Sequence, residues 1–114
     1  DITNPKVIRA TMGSVYRIPF FYVEDVVSLK QKLQGHGIRF FAAHLKGKNS
    51  YDQEDYKDDS AFLIGNEASG LKEETAQKAD IWVRIPMCGR VESLNAAVAS
   101  SVLMFEAARQ RRGL

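Results

Sequence analysis

The sequence is poor in the residues that disulfide frameworks and metal sites need. It has one cysteine and two histidines in 114 residues, so neither an internal disulfide nor a zinc site is expected. No apolar run approaches the roughly 20 residues that a membrane-spanning helix needs. The first residues do not have the pattern of a signal peptide. We therefore expect a cytoplasmic protein with no metal and no membrane partner, and the single cysteine fits a reducing compartment.

The charge balance by itself does not indicate which partner the protein binds. The net charge of +2 is too small to argue for a nucleic-acid partner. An acidic stretch over 52–59 contrasts with a basic tail over 109–112. The tail could contact phosphates, but cations are also favoured at the end of a helix by its dipole. The sequence leaves both interpretations open.

The order of apolar segments predicts an α/β fold. With 45% hydrophobic and 26% charged residues, the chain is typical of a globular protein, and we expect residues 1–114 to form one domain. We predict strands over 18–23, 38–44, 60–64 and 81–85, helices over 6–12, 24–34, 72–78 and 93–112, and a polar loop over 46–59. Strands that alternate with helices indicate a mostly parallel sheet with helices on both faces.

The last predicted helix carries an apolar stripe at helical spacing, formed by Leu94, Val98, Val102 and Phe105. The alanines and serines over 96–101 have short side chains, so another backbone could approach this second surface of the helix closely. This second surface fits either packing within the chain or a contact between subunits.

The segment 64–71, Ile-Gly-Asn-Glu-Ala-Ser-Gly-Leu, lies between a predicted strand and a predicted helix. Ligands of open α/β sheets bind where strands end, and Gly65 would allow a sharp turn and a close approach of a ligand. Asn66 and Glu67 add an amide and a carboxylate. The segment lacks both the Gly-Lys-Ser/Thr of a Walker loop and a three-glycine dinucleotide fingerprint. Alone, it fits a ligand loop or an ordinary turn.

The segment 85–95 runs from the last predicted strand into the last helix. Pro86 ends the strand because it has no backbone donor. Ser93 is a plausible N-cap, which puts Leu94 and Asn95 in the first turn beside unpaired backbone donors. For Ser93 and Asn95, a capping role and a binding role both remain open.

Taken together, the two segments resemble the second and third signature motifs of the SpoU (TrmH-like) RNA methyltransferases of the SPOUT superfamily. The first matches Gly-x-Glu-x-x-Gly-Leu over 65–71, and the second matches Ile-Pro-Met over 85–87 with Ser-Leu-Asn over 93–95. Residues 4–14 also look like the stretch that follows the first motif of the family. The resemblance therefore covers nearly the whole chain.

The resemblance implies an α/β domain with a C-terminal trefoil knot, a rare exception among protein chains. It implies a homodimer that binds S-adenosylmethionine and methylates a ribose 2′-hydroxyl of ribosomal or transfer RNA. The implied cofactor-binding residues are Gly65, Asn66, Ile85, Met87, Ser93 and Leu94. The implied catalytic residues are Glu67, Ser93 and Asn95.

The chain departs from the family at its first motif, whose arginine should lie upstream of Asn4. Arg9 and Arg17 are in the wrong place to replace it. We therefore expect the chain to be the cofactor-binding C-terminal part of a longer enzyme. The alternative is a non-catalytic module of the same fold that binds RNA or another partner. The sequence fixes neither the RNA nor the nucleotide, and it leaves a role in antibiotic resistance open.

Three further residues lie near the expected pocket. We expect Trp82 to pack in the protein rather than stack on RNA, and Cys88 to be a small filler. His44 ends a predicted strand close to the pocket, and its role is left open.

Overall fold

The computed structural model describes residues 4–10, 17–33, 35–65, 71–87 and 96–113. Four parallel strands in this part of the chain form one sheet in the order β2-β4-β1-β3. The strands are β1 (Arg39–Ala43), β2 (Asn49–Ser50), β3 (Ser60–Leu63) and β4 (Ile81–Arg84). The α-helices are α1 (Pro5–Ala10), α2 (Val26–Leu33), α3 (Glu73–Ala76) and α4 (Ala96–Arg111), and a 3₁₀ helix spans Tyr51–Gln53.

The central strand β1 separates two layers of helix. Its neighbouring residues Phe40 and Phe41 are both buried and point to opposite faces, as alternate residues of a strand do. Phe41 packs in a cluster with Leu103 of α4, whereas the Nζ of Lys30 in α2 lies 5.5 Å from the ring centroid of Phe40. The predicted α/β class, with a parallel sheet and helices, is confirmed.

The connections after β2 and β3 cross opposite faces of the sheet. The first contains Tyr56, whose ring lies 4.8 Å from that of Phe41 on the α4 side. The second contains α3, where the carbonyl of Ala76 accepts a 2.7 Å hydrogen bond from the indole of Trp82 on the other side. In parallel sheets, a crevice forms outside the carboxyl ends of strands whose connections diverge in this way. The carboxyl edge of this sheet is therefore the place to look for a ligand site.

The predicted strand over 18–23 is wrong. Residues 17–25 lie outside the sheet, and the large apolar side chains within 18–23 are 51% to 85% exposed. A strand persists only where its backbone groups find a partner, and no described strand pairs with this segment. Pro19 further removes one backbone donor.

The predicted loop over 46–59 contains two short elements. Strand β2 pairs in parallel with β4, and the 3₁₀ helix follows it directly. The side chain of Gln53 accepts a 2.8 Å hydrogen bond from the backbone of Ser50, and the side chain of Asn49 donates to that of Glu54 at 2.7 Å. A strand of two residues is too short to show any hydrophobic period, which is why the sequence pattern missed it.

The described part of the apolar stripe of the last helix faces largely outward. Val98 is 47% exposed and Phe105 is 74% exposed, while Leu94 lies outside the described residues. The side chains that α4 buries are Ala99, Leu103, Glu106 and Ala107. Small alanines on this buried face leave room for the aromatic cluster of the sheet and its connections.

The basic tail is bound to the acidic stretch. Arg111 donates to the backbone carbonyls of Tyr56 and Asp58, both at 3.0 Å. Gln110 accepts from the backbone of Tyr56 at 2.7 Å and donates to the carbonyl of Glu54 at 2.8 Å. The side chains of Gln110 and Arg111 thus bind backbone groups of the loop that would otherwise form hydrogen bonds with water.

A buried carboxylate stabilises this end of α4. Glu106 has a side chain only 8% exposed, and it accepts from Arg109 at 2.7 Å and from Gln110 at 2.9 Å. The hydrogen bonds from Arg109 lower the pKa of Glu106 to about 2, against the opposing effect of burial.

This depressed pKa predicts a pH-dependent stability. The charged form of Glu106 is favoured by folding, so its contribution is complete above its ordinary pKa of 4.5 and is lost as the pH falls towards about 2. In urea unfolding at a series of pH values, the free energy of unfolding of the wild type should fall more steeply across this window than that of Glu106→Gln. The exposed Glu74→Gln serves as the control, and equal slopes for wild type and Glu106→Gln would contradict the assignment.

Candidate functional site

Three strand ends meet at the carboxyl edge of the sheet. Ala42 of β1 lies opposite Leu63 of β3 and opposite Trp82 of β4. Ile85 follows β4 directly and Gly65 follows β3 after Ile64, so they flank the end of β1 on its two sides. Because neighbouring strands are about 4.8 Å apart, the ends of β3 and β4 are about 10 Å apart. This width suits a small-molecule ligand better than a single ion.

The floor of this edge is apolar and partly open. Ile64 and Ile85 are half-buried and pack against the cluster that contains Phe41 and Val83. Gly65 and Met87 are also half-buried. Apolar surface that is anchored in the core on one side and accessible on the other is typical of ligand pockets.

The structure describes part of the expected site. Gly65, Ile85 and Met87 lie after β3 and β4 at the same edge of the sheet. Asn66, Glu67, Ser93, Leu94 and Asn95 lie outside the described residues, so their roles stay predictions. The site therefore has a described floor, while the segments 66–70 and 88–95 that would complete it are known only by sequence.

The turn after β1 closes tightly against β4. Gly47 is buried, and a Cβ atom added to it would lie 2.7 Å from the backbone nitrogen of Arg84. The guanidinium of Arg84 in turn donates to the carbonyl of Gly47 at 3.1 Å. This contact starts β2 beside β4. Sequence analysis did not single out Gly47, although a glycine between two lysines after a strand was a visible signal.

A polar group beside the floor links three elements. The ring of His44, at the end of β1, stacks on that of Trp82 in β4 with centroids 4.0 Å apart. Its Nε2 lies 3.0 Å from a carboxylate oxygen of Glu73 in α3. The expectation that Trp82 packs within the protein agrees with its half-buried position. Nothing in the sequence pointed to Glu73 as the partner of His44.

Comparison with protein families and curated proteins points in one direction. Residues 1–105 match the model of the SpoU rRNA Methylase family. The 23S rRNA (guanosine-2′-O-)-methyltransferase RlmB of Ralstonia nicotianae is 33% identical over 108 residues, which are 95% of this chain and 43% of that protein. The chain thus spans less than half the length of the curated relatives it matches.

Solved structures give the same picture. The SpoU methyltransferase AviRb from Streptomyces viridochromogenes, in complex with the cofactor AdoMet, has a TM-score of 0.87 at 30% identity, over 100% of this chain and 47% of its own. The AdoMet-bound rRNA methyltransferase from Sinorhizobium meliloti has a TM-score of 0.85 at 38% identity, over 96% of this chain and 42% of its own.

Gly47→Ala is expected to destabilise the fold at this edge. The added methyl group meets backbone atoms of Val83 and Arg84, which cannot rotate away as a side chain can, and overpacking of this kind costs about 1–3 kcal/mol. Urea unfolding should show this loss, while the exposed neighbour Lys48→Ala should change the free energy of unfolding by less than about 0.5 kcal/mol. An unchanged midpoint for Gly47→Ala would show that the close contact is absent in solution.

Proposed function

The chain belongs to the SpoU rRNA methylase family, and on that premise we propose that it is the cofactor-binding part of an S-adenosylmethionine-dependent RNA ribose 2′-O-methyltransferase. The observation that carries the proposal is the meeting of Gly65, Ile85 and Met87 at the carboxyl edge of the parallel sheet. The two family motifs begin at this edge, and related enzymes were crystallised with AdoMet.

The described residues fit the cofactor. Ile85, anchored on the core, offers an apolar wall of the kind that covers an adenine ring. Gly65 leaves its backbone groups open to close approach. We assign further contacts to Asn66, Met87, Ser93 and Leu94. When bound, S-adenosylmethionine supplies a methyl group on a positively charged sulfur.

The protein must orient and activate the acceptor. A ribose hydroxyl is a weak nucleophile until its proton is removed or its developing charge is stabilised, and alignment with the methyl group is a second large contribution. We propose that Glu67, Ser93 and Asn95 organise the site and the attacking ribose rather than supply the base. The arginine of the first family motif would complete the site, and the present sequence does not include that motif.

We also propose that residues 1–114 belong to one catalytic domain of a longer enzyme, with the C-terminal trefoil knot of the family. The short span relative to the curated relatives and the missing first motif support the longer enzyme. The high structural similarity to AviRb over the whole chain supports the family topology. None of the described helices is long and apolar enough to cross a membrane, and an RNA substrate of the kind that the relatives modify supports a location in the cytoplasm.

The enzyme is proposed to be a homodimer that contacts its second copy through α4. The outward stripe of Val98, Val102 and Phe105 lines an open groove together with Tyr51 and Ser101. Exposed apolar side chains that line one groove are a candidate surface for a protein contact. In a two-fold symmetric dimer, each copy would contribute the same stripe, and both stripes would be buried in one contact.

The missing arginine motif favours one alternative, a non-catalytic module that keeps the fold and binds RNA or a partner. Methyl transfer separates the two hypotheses. Radiolabelled S-adenosylmethionine is mixed with the protein and unmodified ribosomal or transfer RNA, with or without the upstream segment that contains the arginine. Label in the RNA 2′-O position supports the enzyme, and binding of RNA without label in either form supports the module.

Cofactor binding gives the first test. In calorimetric titration with S-adenosylmethionine, Gly65→Trp and Leu94→Asp should each weaken binding by about 100-fold or more, because one fills the open backbone site and the other places a charge against an apolar ring. Lys48→Trp adds the same indole to an exposed position before β2, on the opposite side of the sheet from β3, and should bind like the wild type. A folded wild type that binds no S-adenosylmethionine would overturn the proposed site.

The dimer gives an independent test. Phe105→Glu places a charge in the apolar stripe and should shift the protein from dimer to monomer in sedimentation analysis. Met104→Glu changes the adjacent residue, which is 56% exposed and does not line the groove, and should leave the dimer intact. Equal sedimentation of both variants would rule out this face as the contact.

A further inference from the structure

The turn after β1, residues 44–47, is fixed in place by backbone hydrogen bonds. The N–H of His44 donates to the carbonyl of Val83 at 3.0 Å, and the N–H of Gly47 donates to the carbonyl of His44 at 3.0 Å. The N–H of Lys46 donates to Nδ1 of His44, also at 3.0 Å. The backbone of the turn is therefore held against β4, while the side chain of Lys46 is exposed.

Three exposed cationic residues meet at this turn. Lys46 and Lys48 flank Gly47 in the sequence, and the guanidinium of Arg84 in β4 donates to the carbonyl oxygen of Gly47 at 3.1 Å. All three cationic residues are exposed. Because Gly47 lies against the backbone of β4, the two lysines leave the chain on either side of a fixed point that contacts the arginine. Lys46, Lys48 and Arg84 are called the basic cluster below.

No carboxylate in the described part of the chain is paired with the basic cluster. The hydrogen bond of Arg84 goes to a neutral carbonyl, and the ion pairs of the described residues involve other cations. Two carboxylates contact neighbours of the cluster. Glu73 lies 3.0 Å from Nε2 of His44, and Glu54 accepts a 2.7 Å hydrogen bond from Asn49. The cluster therefore offers its cationic groups to an anion from outside the chain.

The basic cluster adjoins the floor of the proposed cofactor site. Arg84 directly precedes Ile85, and Lys46 lies in the turn that binds the backbone of Val83. Every ribose within an RNA chain is linked to a phosphate on each side. A ribose that reaches a methyl group at this edge of the sheet therefore brings phosphates close to the cluster.

We propose that Lys46, Lys48 and Arg84 bind the phosphate backbone of the RNA beside the ribose that is methylated. Contacts to phosphates fix the register and orientation of a nucleic acid without reading its sequence. A turn that is already fixed has less conformational entropy to lose on binding than a mobile loop. This inference rests on the proposed function, since it assumes that RNA is the substrate at this edge. It gives the cluster no part in binding S-adenosylmethionine.

The salt dependence of RNA affinity tests the two lysines. The probe is a short fluorescent oligouridine, because phosphate contacts do not depend on base sequence. Each contact to a single-stranded phosphate adds about 0.7 to the slope of log affinity against log salt concentration. Lys46→Gln and Lys48→Gln should each lower this slope by about 0.7, and the double variant should lower it by about 1.4. Lys78→Gln is the matched control, since it removes the same charge from an exposed residue before the amino end of β4.

Arg84 is tested with its charge kept or removed. Arg84→Lys keeps the positive charge and should retain a slope near that of the wild type. Arg84→Gln removes the charge and should lower the slope by about 0.7. Both variants remove the guanidinium that contacts Gly47, so a difference between them reports the charge and not the packing of the turn.

Calorimetric titration with S-adenosylmethionine separates the basic cluster from the cofactor site. All variants of the cluster should bind S-adenosylmethionine like the wild type. Equal slopes for the wild type and the double lysine variant would overturn the proposal, as would an equal loss for Lys78→Gln. A wild type that binds S-adenosylmethionine but not the oligouridine would overturn it while leaving the cofactor site in place. A folded wild type that binds no S-adenosylmethionine would instead overturn the proposed function.

Discussion

Burial of the central strand on both faces is the constraint on which the rest of the structure depends. Phe40, Phe41 and Ala42 are at most 2% exposed, which requires a layer of helix on each side and a strand along each edge. With a layer of helix on each face, the connections after β2 and β3 cross opposite faces of the sheet. Their divergence opens the crevice at the carboxyl edge. The candidate site is thus a consequence of how β1 is covered.

Polar links between distant parts of the chain then fix the elements around this core. Lys30 joins α2 to Asp80 before β4, Gln110 and Arg111 join α4 to the loop around Tyr56, and His44 joins β1 to α3. Each link satisfies a backbone group or a charge that would otherwise lack a partner near the protein interior. The short elements of this fold, α3 above all, depend on such links because they are too short to be stable alone.

Sequence patterns predicted the parts of this structure that are determined locally. The strands β1, β3 and β4 were evident as short apolar runs between turn residues, and the two family motifs followed β3 and β4 as expected. The pattern failed where a partner decides the outcome. The segment 18–23 has a strand-like composition but no described strand beside it, and the stripe containing Val98 and Phe105 is periodic but faces outward. Periodicity shows that a face is apolar without showing what covers it.

The candidate site also combines features that the local sequence determines with features that depend on distant partners. The positions of Gly65 and Ile85 at the carboxyl edge could be predicted because both residues follow strands within recognisable motifs, while their roles in binding stay predictions. The pairing of His44 with Glu73 could not, since 29 positions separate the two residues and no local period relates them. Gly47 is an intermediate case, because its need for a small side chain arises from the backbone of β4 and is visible only once β2 is placed.

The outward stripe of α4 lies close in sequence to two residues of the proposed cofactor site. Leu94 and Asn95 directly precede α4 in sequence, and Val98 is the first exposed member of the stripe. A second copy that packs on Val98 and Phe105 would fix α4 from outside, while Leu103 fixes it from within. On the proposed dimer contact and the proposed cofactor contacts, assembly and binding would be coupled, because a second copy that orders α4 would reduce the entropy lost when the residues next to it bind a ligand.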